Sequence, residues 1–138
     1  MVFNESLVLE TKGECDVHNL TPKVEKIVKK SKIKNGHILV FVTGSTSAIG
    51  TLEVGADLDK DLNELMEKLA PKNKKYHHDK RWKDGNGYSH VRSTLLGTSR
   101  VLPLIDGELV LGTWQQVVLI DFDNKPRERF VTVQIVGE

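Results

Sequence analysis

Residues 100–136, RVLPLIDGELVLGTWQQVVLIDFDNKPRERFVTVQIV, decide the fold of this protein. Runs rich in branched apolar residues alternate here with turn-forming residues, and this pattern predicts four β-strands. Asp106-Gly107 is typical of a tight hairpin turn, and Asn124-Lys125-Pro126 predicts a second reversal. The predicted strands are 100–105, 108–111, 113–122 and 127–136. Strands joined by such short turns pair antiparallel, so this half of the chain predicts an α+β fold.

The first part of the chain adds helices to this sheet. Thr21 and Pro22 form a typical helix start, and the helix is predicted to end near Asn35-Gly36. A second helix is predicted to begin at Asp57, a possible capping residue, and to end before Pro71. Its apolar face has clear helical spacing: Leu58, Leu62, Leu65, Met66 and Leu69.

Together these elements predict one domain over residues 1–138. Three more strands are predicted at 3–11, 37–42 and 48–54. The sheet is expected to be mostly antiparallel or mixed and sandwich-like, with two main helices and one short helix from Ser89 to Gly97. Residues 72–89 are polar and predict a long loop, and such loops in small domains are usually functional or disordered.

Composition narrows the class of protein. The chain has 138 residues, 38% of them apolar and 28% charged, which is typical of one soluble domain with its own core. Cys15 is the only cysteine, so no intrachain disulfide can form and a reducing cytoplasmic setting is expected. The first residues carry no signal-peptide pattern. No apolar run approaches the roughly 20 residues that cross a bilayer, so no membrane partner is expected.

The charges are unevenly distributed along the chain. The net charge is +1, yet residues 71–100 carry eight basic and two acidic side chains. Such a local positive excess favours anions, although a solvated basic loop explains the same count. No nucleic-acid-binding module is recognisable, so a small anionic ligand is expected rather than a nucleic acid.

The first candidate site is the group of His77, His78, Asp79 and His90. Imidazole and carboxylate together suit a divalent metal such as zinc, and histidine also donates to phosphate near neutral pH. The spacing matches no known zinc motif. The alternative is that His77 is solvent-exposed and that the others hydrogen-bond loop backbone.

The second candidate lies just after His90. Hydroxyl residues around Gly97, with Arg92 and Arg100 nearby, can surround an anion with donors. The hydroxyl residues are Ser93, Thr94, Thr98 and Ser99. The alternative is a capped helix that ends at Gly97, and that alternative leaves these four residues together unexplained.

Two further turns are candidates. In Gly112-Thr113-Trp114-Gln115, the indole could stack on a flat ring and the amide could bind a polar edge, although a tryptophan in a strand is more often packing. The turn at residues 43–48 contains Ser45, Thr46 and Ser47 and either binds a ligand or only reverses the chain. Cys15 lacks catalytic partners by spacing and is interpreted as structural.

Taken together, these stretches resemble the YjbQ family. The family pattern is H-D, then S-H-x-x-S-S-x-L-G-x-S, then G-x-x-x-x-G-T-W-Q, and a terminal G-E. This chain supplies His78-Asp79, Ser89-His90, Ser93-Thr94, Leu96-Gly97, Ser99, Gly107, Gly112-Thr113-Trp114-Gln115 and Gly137-Glu138. The first half departs from the pattern, because Ser45 stands where the family often has a histidine and Glu53-Val54 replaces Asn-Glu. The chain is therefore interpreted as a variant subgroup with a weaker metal site.

The resemblance implies a homotrimer with a histidine-containing pocket and a weak thiamine-phosphate synthase activity. That transferase reaction joins two phosphorylated heterocycles and releases pyrophosphate. The predicted catalytic residues are His78 and His90, and the predicted metal ligands, for Zn or Mg, are His78, Asp79 and His90. The predicted phosphate-binding residues are Ser47, Arg92, Ser93, Thr94, Gly97, Thr98, Ser99, Gly112, Thr113, Trp114 and Gln115. The alternative function is a non-catalytic trimer that binds a phosphorylated metabolite or a divalent metal.

Overall fold

Two antiparallel sheets form the framework in the computed structural model, which describes residues 1–138. The strands are β1 (Val2–Thr11), β2 (Asp16–Asn19), β3 (Gly36–Thr43), β4 (Ser47–Leu52), β5 (Ser99–Ile105), β6 (Glu108–Leu109), β7 (Gln116–Asp121) and β8 (Arg127–Gly137). The larger sheet has the order β1-β8-β3-β5-β6, and the smaller sheet has the order β2-β7-β4. Every pair of neighbouring strands is antiparallel.

Four helices lie against the sheets: α1 (Thr21–Ser31), α2 (Leu58–Leu69), α3 (His77–Trp82) and α4 (Gly87–Leu96). Helix α1 buries Val24, Ile27 and Val28 against the larger sheet, as its spacing predicts. Helix α2 is less well packed. Only Met66 of its apolar face is fully buried, and Leu65 and Leu69 remain 49% and 58% exposed.

The central strand of the smaller sheet, β7, is buried on both faces. Ile49 and Leu119 contribute to a core shared with α1 and the larger sheet. Val118 and Ile120 face the other way, into a smaller core with Met66. This double burial explains the continuous apolar run at residues 117–120, because a strand covered on both faces needs apolar side chains at every position.

The outer face of the larger sheet is uncovered. Residues of β3 alternate between buried and exposed positions, so that Leu39 and Phe41 point away from the core. Leu39 lies beside Val101 of β5, and on the neighbouring strands Val8 lies beside Phe130. We refer to Val8, Leu39, Phe41, Val101 and Phe130 as the outer apolar face.

Several local predictions are corrected by the structure. Residues 72–89 are not one long loop, since they contain α3 and the start of α4. Helix α4 begins at Gly87 rather than at Ser89, whose hydroxyl instead donates to the Phe122 carbonyl at 2.5 Å. Strand β2 was not predicted, because its four residues, DVHN, carry no apolar alternation. No helix is both long and apolar enough to cross a membrane.

The terminal Gly-Glu of the chain has a structural role. The Glu138 carbonyl accepts hydrogen bonds from the backbone N–H groups of Lys34 and Asn35, at 2.9 and 3.0 Å. A side chain at Gly36 would clash with the Val136 carbonyl, and one at Gly137 would clash with the Asn35 carbonyl. Two backbones therefore approach so closely here that only glycine fits at either position.

Replacement of Gly36 by alanine should destabilise the domain. The added methyl group forces β3 and β8 apart, and overpacking of this kind costs about 2 kcal/mol or more of unfolding free energy. The matched control is Gly50→Ala in β4, where the new methyl group makes only an ordinary contact of 3.9 Å with Ile120. Urea denaturation measures both variants, and equal stability of the two would contradict the steric argument.

Candidate functional site

Helices α3 and α4 bring His78 and His90 together. The two imidazole rings have centroids 4.5 Å apart and are tilted by 44°. The Nδ1 atom of His78 lies 3.1 Å from Asp79 Oδ1 and 3.5 Å from Asp84 Oδ1. Two imidazoles and two carboxylates thus meet at one place on the surface, which we call the histidine site.

The local sequence explains why these side chains converge. Asp79 Oδ1 accepts the backbone N–H of Gly87 at 2.9 Å and so ties α3 to the first turn of α4. A methyl group at Gly87 would lie 2.7 Å from the Tyr76 Cβ, so glycine permits this close approach. Asn124 donates to the Asp84 carbonyl at 2.8 Å and holds the connecting loop in place.

The donor atoms of the histidine site are of the kinds that bind a divalent cation. One ligand atom from each of His78, Asp79 and Asp84 lies within 4.8 Å of the others. Burial lowers the pKa of His90 below its ordinary value, and the neighbouring His78 lowers it further, whereas Asp123, Asp84 and the Ser45 backbone oppose this shift. A neutral imidazole and nearby carboxylates are the groups that bind zinc or a similar ion.

Asp84 was missed at the level of sequence. It belongs to the Asp84-Gly85-Asn86-Gly87 segment, where an acidic residue among glycines is also typical of a plain turn. The only signal that could have identified it was its position between two histidines that are twelve residues apart.

A buried ionic network lies beneath the histidine site. Asp121 and Asp123 have no exposed side-chain surface, and Arg129 pairs with Asp121 through Nε at 2.6 Å and Nη2 at 2.9 Å. Asp123 Oδ2 accepts Arg127 Nε at 2.7 Å. Burial raises the pKa of Asp123, but hydrogen bonds from Asn86, Arg127, the Asn124 backbone and Thr46 outweigh it and leave the pKa below its usual range.

The predicted hydroxyl cluster is divided between two faces of α4 (Ser93 and Thr94) and the segment after it (Thr98 and Ser99). Ser93 Oγ donates to the Ser47 carbonyl at 2.6 Å and is buried, so it joins α4 to β4. The carbonyls of Gly97 and Thr98 accept the backbone N–H groups of Ile49 and Val42. Of the four hydroxyl residues, only Thr94 lines the open depression that His90, Val91 and Leu95 also line. Ser99 lies in β5, paired with Phe41.

Arg92 lies on the buried side of α4 and already has partners. Its Nε donates to the Ala70 carbonyl at 3.1 Å, and its Nη2 pairs with Glu67 at 2.8 Å. The guanidinium also lies over the rings of Tyr88 and Phe122, at 5.0 and 5.7 Å. The structure therefore gives Arg92 the contacts of a packing residue and does not place it beside the histidines.

The Gly112–Gln115 turn is also separate from the histidine site within one chain. Gln115 donates to Thr51 Oγ1 at 3.2 Å. Thr51 lies four residues along β4 from Ser47, which contacts α4, and four residues of strand span about 13 Å. Trp114 is 72% exposed in the single chain, so it does not pack in the core of this domain, and a role at an interface stays a prediction.

The remaining sequence candidates are outside this site. Cys15 is half-buried, and burial raises the pKa of its thiol to about 11, which agrees with a structural role. His18 pairs with Asp16 at 2.7 Å on β2. His77 is exposed next to His78 on α3.

Comparisons of the sequence and of the structure with known proteins identify the same family. Residues 5–138 match the family model described as YjbQ, UPF0047 protein YjbQ-like. A UPF0047 protein of Archaeoglobus fulgidus is 38% identical over 93% of this chain and 97% of its own length. A crystal structure of a YbjQ-like protein of unknown function from Sulfolobus solfataricus has a TM-score of 0.95 and 36% identity, and covers 100% of this chain and 99% of that one. A YjbQ/UPF0047 structure from Clostridium acetobutylicum has a TM-score of 0.87 and 30% identity over 96% of this chain and 99% of its own.

Arg92→Ala separates the two roles that sequence and structure give to this residue. We expect the free energy of unfolding to fall by about 3 kcal/mol, because buried hydrogen bonds to a charged group are lost. Affinity for inorganic phosphate, measured by calorimetry, is expected to stay within about twofold of the parent value, because the residue lies apart from the histidines. Arg81→Ala removes the same charge from an exposed position and is the control. Weaker phosphate binding in Arg92→Ala alone, at unchanged stability, would restore the phosphate-binding role.

Proposed function

The chain belongs to the YjbQ (UPF0047) family, and we propose that its histidine site binds the phosphate of a small phosphorylated molecule together with a divalent cation. The Sulfolobus solfataricus relative is described as a protein of unknown function, so no activity can be transferred from it to this chain. The proposal therefore depends on the site itself, and the observation that carries it is the contact between His78 and His90 beside two carboxylates.

The cation is part of the proposal for an electrostatic reason. Asp79 and Asp84 bring negative charge to the place where the phosphate must bind, and carboxylates repel an anion unless a cation lies between them. A zinc or magnesium ion, when bound, would neutralise the phosphate oxygens and stabilise a phosphate leaving group. His78, Asp79 and Asp84 would hold the ion, with His90 beside them, and the ring N–H groups of the histidines would donate to the phosphate.

The surroundings of His90 support an organic ligand rather than phosphate alone. Val91 and Leu95 form the apolar floor of the depression that begins at His90, and both side chains are exposed. A flat, weakly polar ring that extends from the phosphate would cover this floor and remove apolar surface from water. Phosphorylated heterocycles have this combination of groups.

More specifically, the proposed activity is that of a transferase of the thiamine-phosphate synthase type, and this activity is weak or secondary. In that reaction the thiazole nitrogen attacks the methylene carbon of the pyrimidine diphosphate. A C–N bond forms, the C–O bond to the diphosphate breaks, and pyrophosphate leaves with the bonding electron pair. The histidine site would bind the diphosphate and stabilise the departing charge.

The second candidate is a non-catalytic protein that binds the same ligands. The observation in its favour is that the site is an open depression in the single chain, whereas catalytic sites usually exclude water. Ser45, which stands where the family often has a histidine, also removes one imidazole from the neighbourhood of His90. Turnover of the two thiamine precursors separates the candidates, because a binder releases no pyrophosphate.

Assembly into a homotrimer belongs to the proposal. The outer apolar face presents four exposed apolar side chains and the partly exposed Leu39 on adjacent strands, and such a patch on a sheet usually marks an interface. A second copy is also needed if the Gly112–Gln115 turn takes part in binding, because the turn and the histidines are far apart in one chain.

Alanine variants of His78 and His90 test the site directly. We expect each to lose at least about tenfold in affinity for zinc and for inorganic phosphate, because each ring supplies a ligand or donor atom. Metal content, calorimetric affinity and pyrophosphate release are measured for each protein. His77→Ala is the matched control, since it removes an exposed imidazole from the adjacent position of α3. If both variants stay folded and equal the parent protein in every assay, the histidines are structural and the proposed function is wrong.

Phe41→Glu tests the assembly. A buried carboxylate in the middle of the outer apolar face should dissociate the trimer, because the desolvation of an unpaired charge exceeds the contribution of one apolar contact. Sedimentation velocity at micromolar concentration measures the result. Leu65→Glu on α2 introduces the same charge at another exposed apolar position and should leave the trimer intact. A parent protein that sediments as a stable monomer would overturn the trimer.

A further inference from the structure

We propose that Asp123 is the positioning residue of the histidine site, and that it fixes the orientation of the His90 ring by holding the two backbone segments on either side of it. The role of the site in binding rests on the proposed function. The orientation of the ring does not, and it can be measured without any ligand.

The two oxygens of Asp123 bind different segments of the chain. Oδ1 accepts Asn86 Nδ2 at 3.1 Å, at the beginning of α4. Oδ2 accepts Thr46 Oγ1 at 3.0 Å, in the turn between β3 and β4. Asn86, Thr46 and Asp123 are all buried, so water does not compete for these hydrogen bonds.

Both segments lie directly beside His90. The Asn86 carbonyl accepts the backbone N–H groups of Ser89 and His90, at 2.9 and 3.4 Å, so Asn86 sets the first turn of the helix that carries the ring. Thr46 follows Ser45, and the Ser45 backbone lies beside the His90 ring. One carboxylate therefore fixes the start of the helix and the wall of the turn against which the ring lies.

The choice of aspartate follows from the groups around it. Arg127 Nε donates to the same Oδ2 at 2.7 Å, and Arg129 Nη2 lies 3.6 Å from it. An amide in place of the carboxylate would direct a donor at a donor and remove the charge that balances the guanidinium groups. Direct replacement of Asp123 therefore puts the whole domain at risk, and a milder pair of variants is more informative.

Thr46→Val and Thr11→Val form a matched pair. Both threonines are buried, and each donates its hydroxyl to a buried aspartate of the same network, Thr46 to Asp123 and Thr11 to Asp121 at 2.5 Å. Valine keeps the shape and removes the donor in both cases, and at Thr46 it also removes the oxygen that accepts Arg129 Nη2 at 2.7 Å. Only Thr46 adjoins the segment beside His90, so a purely structural role predicts that both folded variants keep the parent His90 spectrum.

The primary measurement is the imidazole ¹H–¹⁵N spectrum of His90, which reports the tautomer and environment of the ring. We expect Thr46→Val to change the His90 resonances and to show a mixture of tautomers, and Thr11→Val to leave them as in the parent protein. Affinity for zinc alone and for inorganic phosphate alone should fall about tenfold in Thr46→Val and stay unchanged in Thr11→Val. Unfolding free energies measured in urea give the stability that each of the two variants loses.

The inference is overturned if the two variants give the same His90 spectrum, or if Thr46→Val leaves that spectrum unchanged. Its failure is distinct from failure of the proposed function. If the parent protein binds neither zinc nor phosphate, the proposed function fails while the spectra still decide the positioning role. If alanine at His90 abolishes binding but Thr46→Val has no effect on the ring, only the positioning role is wrong.

Discussion

The structure depends on a small number of charges that have no contact with water. Asp121 and Asp123 are completely buried, and their charges are compensated by Arg127, Arg129, two threonines, Asn86 and nearby backbone N–H groups. A buried carboxylate is tolerated only if its partners are held in good geometry, and loss of one partner typically costs about 3–5 kcal/mol. The end of β7 and the start of β8 are therefore fixed together with the end of β1 and the turn before β4.

The histidine site occupies the place where these constrained segments end. Helix α4 buries Tyr88, but α3 has no buried side chain, so hydrophobic packing alone would position His78 loosely. Hydrogen bonds do this work instead: Gly87 donates to Asp79, Asn124 donates to the Asp84 carbonyl, and Asp123 accepts from Asn86. A binding site on short helices and turns can be well defined when buried hydrogen bonds hold the scaffold beneath it.

The sequence predicts the features that follow from periodicity and turn chemistry. The α+β class and the long strands are confirmed, because alternating apolar residues and the Asp106-Gly107 turn directly encode strands. Strand β2 and helix α3 are too short and too polar to show a period, so tertiary pairing decides them. The contact between His78 and His90 matches the expectation from the family motif, whereas Asp84 does not stand out in any local pattern. Ser93 shows the limit of the hydroxyl pattern, since a serine that binds a backbone carbonyl and one that binds an anion have the same sequence context.

The incomplete burial of α2 has a consequence for the dynamics of the domain. Because Met66 is its only fully buried side chain, the helix can detach from the smaller core while Val117 and Leu119 of β7 stay covered by the core shared with α1 and the larger sheet. Native-state hydrogen exchange should then proceed through two separate openings, a low-energy one that releases the amides of α2 and a global one that releases those of β7. The domain thus comprises a marginal helix on a rigid framework, and a protease would reach the α2 segment well before the chain unfolds.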